Sequence, residues 1–216
     1  MALSKIQISK LYHRRAAHYD ISANLYYLMG FREQAYRKRA VAALNLNPGD
    51  TVLELGCGTG LNFSLLQQQV GPEGKIIGVD LTAQMLVHAK DRVERHGWAN
   101  VELVQTDAAT YEFPRSIGGV LSTFALTLVP EYDAIIRHAS LSLSPGRRFV
   151  VLDIKLPEKM PMWLIRFGVF VTRPFGVSLD IADRHLWESI ERYLAKVAFE
   201  ELYLGFSYIS VGECRS

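Results

Sequence analysis

The sequence predicts an α/β protein: a doubly wound, mostly parallel sheet of seven strands with helices on both faces and a helical cap at the N-terminus. Three observations carry that prediction. From Thr51 to Ile154, short apolar runs alternate with amphipathic helical segments, and strand–helix alternation implies right-handed crossovers between parallel strands. Thr51 to Gly60 reads T-V-L-E-L-G-C-G-T-G, an apolar run that turns into glycines at alternate positions and then into a helical segment. Three acids, Glu54, Asp80 and Asp107, fall at the ends of three successive apolar runs.

Residues 4–44 read as helices broken near Asp20 and Gly30. Phe31, Ala35, Ala42 and Leu46 recur at helical spacing and mark the inward face, which leaves Arg37, Lys38 and Arg39 mostly exposed. Pro48-Gly49-Asp50 is a turn signal, and Val52, Leu53 and Leu55 after it have the length of a buried strand. Leu61–Gln69 reads as a helix and Gly71-Pro72-Glu73-Gly74 as a turn. Lys75–Val79 is the second strand, closing at Asp80. The helix Thr82–His96 has Thr82 as N-cap and Gly97 as its stop. Val101–Gln105 is the third strand, closing at Asp107, and Ile117–Phe124 the fourth, with Ser122, Thr123 and Phe124 at its carboxyl end. Pro130–Leu143 is a helix, Ser144-Pro145-Gly146 a turn and Arg147–Ile154 the fifth strand. A helix over Asp180–Leu194 and two closing strands, Val197–Leu204 and Phe206–Val211 around Gly205, complete the count. The chain reads as one domain over 1–216, with the cap at 1–46 and a lid-like insertion at 156–195.

A strand, a glycine turn and a helix in this order form a Rossmann-like nucleotide-binding corner. Glycines let the backbone turn sharply and let a ligand approach closer than a Cβ permits, and a helix N-terminus adds unpaired N–H donors. A dinucleotide fingerprint needs glycines at its first, third and sixth positions. Here Gly56 and Gly58 fit, but the sixth position is Leu61 and the third glycine is Gly60. Glu54 would repel a pyrophosphate and suits a ligand carrying an ammonium or a ribose. Asp80 stands where a ribose-binding acid belongs. The bland alternatives are a glycine turn without ligand and aspartates that merely cap helices.

The pattern E-x-G-x-G-x-G at Glu54, Gly56, Gly58 and Gly60 resembles motif I of the class I S-adenosylmethionine (SAM) methyltransferases. Gly78-Val79-Asp80-Leu81-Thr82 and Thr106-Asp107-Ala108-Ala109 are similar to that family's ribose and adenine motifs. The resemblance covers roughly residues 35–155. It implies a cofactor site of Glu54, Gly56, Cys57, Gly58, Gly60, Asp80, Leu81, Met85, Asp107, Ala108 and Thr123, with SAM as cofactor and S-adenosylhomocysteine (SAH) as product. His18-Tyr19-Asp20 resembles the A-x-x-Y-D element of many small-molecule and quinone methyltransferases, which implies Tyr19 as a further cofactor contact. Trp187-Glu188-Ser189-Ile190 is loosely similar to the matching region of the ubiquinone/menaquinone C-methyltransferases. Bacterial phospholipid N-methyltransferases share the overall plan. The family's usual Asp before the fourth strand is absent, and Gly118-Gly119 stand there instead.

At 216 residues, 49% hydrophobic and 21% charged, the chain is globular in composition. No apolar run reaches the length of a spanning helix, and the first ten residues lack the apolar core of a secretory signal. Cys57 and Cys214 alone give no disulfide framework, and a cytoplasmic setting fits. Paired Cys/His spacing for zinc is absent. The net charge is +2, yet residues 1–40 hold eight basic against two acidic side chains, 8 − 2 = +6. That asymmetry suits an acidic surface, an anionic membrane face among them, and is equally a solvated helix face. No recognition motif for nucleic acid accompanies it.

Methyl transfer from a sulfonium is an in-line displacement that needs alignment and a dry site more than an enzymic nucleophile. Cys57 is accordingly read as backbone, not nucleophile. An acceptor amine or carbon must lose a proton, and His18, Tyr19, Asp153 and His185 are the candidates, with Tyr19 and His18 preferred. Leu156–Gly176 is rich in apolar residues interrupted by Arg166 and Arg173. It is either a lid packed inward or a surface that meets a lipid. With the basic N-terminus it favours a lipid-like acceptor, a phospholipid amine ahead of a quinone precursor or a soluble small molecule, reached peripherally on the membrane. Two rival classes are an NAD(P)-dependent reductase, opposed by Leu61 and by the lack of a Tyr-x-x-x-Lys pair, and a non-catalytic SAM-binding or membrane-associating module.

Overall fold

The computed structural model describes residues 31–157, 161 and 184–215. The cap residues 1–30, with His18 and Tyr19, and the insertion stretch 162–183 lie outside the described residues, as do 158–160 and 216.

Helix α1 (Glu33–Ala43) precedes strand β1 (Thr51–Leu55), α2 (Phe63–Val70), β2 (Lys75–Asp80), α3 (Ala83–His96) and β3 (Val101–Gln105). Strand β4 (Ile117–Thr123), α4 (Tyr132–Ser142), β5 (Leu143–Ile154), α5 (Leu186–Tyr193), β6 (Ala195–Leu202) and β7 (Ser207–Glu213) follow. They form one seven-stranded sheet in the order β3-β2-β1-β4-β5-β7-β6. Strands β1 to β5 are parallel, and β7 runs antiparallel to both β5 and β6. The strand order reverses direction between β1 and β4, which opens a crevice at their carboxyl ends.

Alternation along the strands builds two apolar layers. Val52, Leu121, Val150 and Leu152 pack with Ala40, Val41, Leu44, Phe63 and Leu66 of α1 and α2 and their flanks. Leu53, Leu55, Val120, Phe149 and Val151 pack with Ile135, Ile136, Ala139, Leu186 and Ile190 of α4 and α5. The same period of two sends Glu54 and Thr123 toward the α1/α2 side.

Three local expectations change. Ala35 and Ala42 are exposed, while Arg37, Ala40, Val41 and Leu44 are buried. The inward stripe of α1 is therefore rotated from the predicted one, and Arg37 moves from surface to interior. Alanine fits either face, so it is a poor marker of orientation. Second, β5 begins at Leu143 and absorbs the predicted turn at Ser144-Pro145-Gly146. Its pairing with β4 steps from Ile117↔Leu143 to Gly119↔Arg148, so the extra residues bulge out of register. Gly146 takes a φ of +73° there, and its N–H donates to the Cys214 carbonyl at 2.9 Å. Third, Thr82 occupies the N-cap position of α3 without a side-chain capping bond. Gly97 ends that helix in the left-handed region as predicted, with φ +67°. No helix among the described residues is long and apolar enough to cross a membrane.

Candidate active site

A cavity opens at the carboxyl ends of β1 to β4. Its walls are Gly56–Thr59, Val79–Thr82, Thr106–Ala108 and Thr123–Leu126, with Arg37, Leu61, Met85, Leu128 and Val129 around them. Adjacent strands lie about 4.8 Å apart, so four strand ends give a trough about 14 Å long.

The turn after β1 is pinned from below, since the N–H groups of Gly56 and Cys57 both donate to the Val79 carbonyl, at 2.8 and 3.1 Å. At Gly56, with φ +69°, a Cβ would fall 2.3 Å from that of Ala125, so only glycine lets β1 and β4 close up here. Gly58, with φ +55°, has nothing within 4 Å of its missing Cβ and presents bare backbone to the cavity. Gly60 serves the fold instead: a Cβ there would meet the Phe63 ring at 2.6 Å, and the residue does not line the cavity.

Asp80 sits at the floor. Its Oδ2 accepts from the Gly58 N–H and its Oδ1 from the Thr82 N–H, both at 2.8 Å. Burial raises its pKa, and those two bonds, with a third from the Thr82 side chain, oppose the rise. The two carboxylate oxygens together offer about four acceptor sites, so acceptor capacity remains for a ligand. At the next strand end, Asp107 Oδ1 accepts from the Ala109 N–H at 2.9 Å, which shapes the turn that carries Ala108 into the wall. Met85 is buried one turn into α3 and borders the cavity beside Leu81.

Glu54 does not line the cavity. It is 1% exposed and points into the α1/α2 layer, where Asn62 donates from Nδ2 to its Oε1 at 2.6 Å. Its Oε2 has no hydrogen-bond partner among the described residues. Burial pushes its pKa up to about 7, against the pull of Asn62 and the Arg37 charge. Asn62 Nδ2 also donates to Thr123 Oγ1 at 2.9 Å. Arg37 donates from Nη1 to the same Oγ1 at 2.6 Å and to Asn62 Oδ1 at 3.3 Å. Glu33 holds its Nε at 2.8 Å and its Nη2 at 2.7 Å. A buried polar cluster thus ties α1, the glycine turn and β4 together beneath the cavity.

Sequence reading missed Arg37 and Asn62. Signals existed for both: Glu33 and Arg37 are spaced as an ion pair on one helix face, and Asn62 stands at the N-cap of α2. It also missed the apolar wall from Ala125 to Val129. Phe124 anchors that wall in the left-handed region, φ +55°, its N–H donating to the Leu152 carbonyl at 2.8 Å. Its ring lies 5.9 Å from Phe31, with the Arg37 guanidinium 5.2 Å from its centroid. Phe31 in turn meets Tyr203 at 5.2 Å. A bulky residue held at positive φ at a cavity edge is a form of strain that clusters at functional sites.

Of the four proton-acceptor candidates, two are described and neither lines the cavity. Asp153 is buried and accepts from the N–H groups of Thr127 and Ile154, at 3.0 and 2.9 Å, so it braces the β4–α4 connection. His185 lies outside on Glu188 and stacks on Trp187. The Cys57 thiol is buried and its pKa is pushed well up by burial, which leaves it inert as a nucleophile. No group of three or more metal-ligating side chains occurs among the described residues.

The sequence model of a methyltransferase domain matches residues 46–169, from the linker before β1 past the end of β5. The chain belongs to that methyltransferase family. A demethylmenaquinone methyltransferase of Listeria monocytogenes is 28% identical over 183 residues, covering 81% of this chain and 77% of the relative. A 2-phytyl-1,4-naphtoquinone methyltransferase of Thermosynechococcus vestitus is 30% identical over 165 residues, covering 73% and 72%. Among solved structures, a SAM-dependent methyltransferase from Aquifex aeolicus superposes with a TM-score of 0.64 at 18% identity, covering 82% of this chain and 89% of that one. The protein is a SAM-dependent methyltransferase on a seven-stranded α/β fold. Its trough fits SAM: bare backbone at Gly58, a carboxylate at each of the β2 and β3 ends, and an apolar wall beside them.

Proposed function

We propose that this methyltransferase acts on a ring carbon of a reduced, lipophilic quinone. The observation that carries the reading is the alignment of most of the chain with relatives named for demethylmenaquinone and for a phytyl naphthoquinone. A second support is the wall from Phe124 to Val129, apolar and aromatic next to the strand end where a methyl donor would terminate.

In this reading Asp80 accepts from the ribose hydroxyls, and Gly56 and Gly58 admit the ligand backbone. Met85, Leu81 and Ala108 flank the adenosine, with Asp107 at its far edge. SAM supplies the electrophilic methyl group. Phe124 and its neighbours orient a flat ring and exclude water, which favours an in-line displacement. The ring proton leaves as the methyl arrives, and His18 and Tyr19 stand as proposed acceptors of it, with Tyr19 proposed also as a cofactor contact.

The phospholipid-amine expectation has weaker support. The stretch Met160–Phe175 lies almost wholly outside the described residues, and one member of the basic N-terminal segment, Arg37, is buried rather than turned toward a head group. The test is incubation with methyl-labelled SAM and either reduced demethylmenaquinone or phosphatidylethanolamine, read by mass spectrometry. Label in the quinone fraction is expected. Label in phosphatidylethanolamine alone would return the amine reading.

A further inference from the structure

We infer that Arg37 is the recognition residue for the α-carboxylate of the cofactor's amino-acid end. The inference rests on the placement of SAM in this trough and concerns a residue of α1, outside the glycine turn and both strand-end aspartates.

The strand ends set an order along the trough. Asp107, Asp80, the Gly56–Gly58 turn and Thr123 stand at the ends of β3, β2, β1 and β4, in that spatial sequence. A ribose on Asp80 fixes the adenosine over β2 and β3. The amino-acid end then has to lie over β1 and β4. Arg37 borders the cavity there, beside Thr123, to whose Oγ1 its Nη1 donates. It is the only cation among the described lining residues, against the two carboxylates of Asp80 and Asp107. SAM carries one carboxylate, so charge and position agree.

The guanidinium is also held for this task. It is 5% exposed, Glu33 holds Nε and Nη2, and the Phe124 ring centroid lies 5.2 Å from its Cζ. Burial in a low-dielectric cluster strengthens its attraction for a second anion, and Glu33 fixes its plane in advance. A long basic side chain meant only for solvent would not be anchored on four side chains.

The test is calorimetric titration of wild type, Arg37→Gln and Arg37→Lys with SAH and with 5′-methylthioadenosine, which keeps the adenosine and lacks the amino-acid end. Arg37→Gln should weaken SAH by about tenfold or more, the scale of a charge-assisted hydrogen bond, and leave methylthioadenosine within about twofold. Arg37→Lys should fall between. Equal losses for both ligands would make Arg37 a structural strut, and no loss for either would remove it from the site; each result overturns the inference. Should Arg37→Gln fail to fold, wild type titrated with SAH and with its decarboxylated analogue decides, because equal affinity for the two also overturns it. Asp80→Ala serves as the control on placement. It should weaken both ligands, and unchanged affinity for both would fault the trough itself rather than Arg37.

Discussion

Glu54 ends up as an interior acid because β1 alternates. Its neighbours Leu53 and Leu55 face α4 and α5, so Glu54 must face α1 and α2, where Asn62 and the Arg37 charge are its polar company. The unfolded chain releases this proton near the ordinary 4.5, and the folded protein near 7. Between those values the folded state binds the extra proton, so stability is full below 4.5 and falls as pH rises through about 7. The difference corresponds to at most about 3 kcal/mol. Asp153, raised from 3.8 to about 6 by burial, adds a fall of the same sign over a lower window. Glu54→Gln keeps the oxygen that accepts from Asn62 and removes the titration. Urea unfolding across pH should therefore show a shallower decline for the variant, with the Asp153 share retained. An unchanged decline would show that Glu54 is ionised throughout.

At the scale of the element, α1 decides how the glycine turn is backed. Its buried stripe of Arg37, Ala40, Val41 and Leu44 lies against the β1–β4 side of the sheet, with Ala35 and Ala42 turned to solvent. The two alanines Ala35 and Ala40 make a matched probe of that orientation. Ala35→Glu should change stability by no more than about 0.5 kcal/mol, as surface substitutions do. Ala40→Glu places an unpaired charge where the side chain is 0% exposed, which should cost at least about 3 kcal/mol. Chemical denaturation of the two variants measures the contrast. Equal effects would mean that α1 is seated on a different face.

At the scale of the molecule, the trough is assembled from parts far apart in the chain, from Arg37 on α1 to Val129 after β4. A ligand that touches all of them opposes global unfolding rather than the opening of one loop. SAH at a hundred times its dissociation constant should then stabilise the protein by about 2.7 kcal/mol. For 216 residues that corresponds to a rise in Tm of about 5–10 °C. Scanning calorimetry with increasing SAH measures it, and the rise should grow with the logarithm of concentration. A Tm insensitive to SAH would separate the trough from the cofactor.

What the sequence determined by itself is local. Alternating apolar runs and helices specified the parallel sheet, because strand and helix periods are properties of neighbouring residues. The glycine spacing specified the turn, since positive φ at Gly56, Gly58 and Gly60 is a demand each residue meets alone. Asp80, Asp107, Met85 and Thr123 reached the cavity because strand ends and first helical turns face it in any such sheet. Glu54 was legible as an acid but not as a buried one, although the period of two already placed it opposite Leu53 and Leu55. The tertiary structure alone decided the company of Arg37. Its partners Asn62 and Thr123 are 25 and 86 residues away in sequence, and the local Glu33 spacing that sets it apart from Lys38 and Arg39 marks an ion pair on a helix face without saying that the pair is buried. A helix rotated by one position would have put another cation inside. Which one enters is set by how α1 packs across β1 and β4, since a buried charge is stable only where folding brings its hydrogen-bond partners to it.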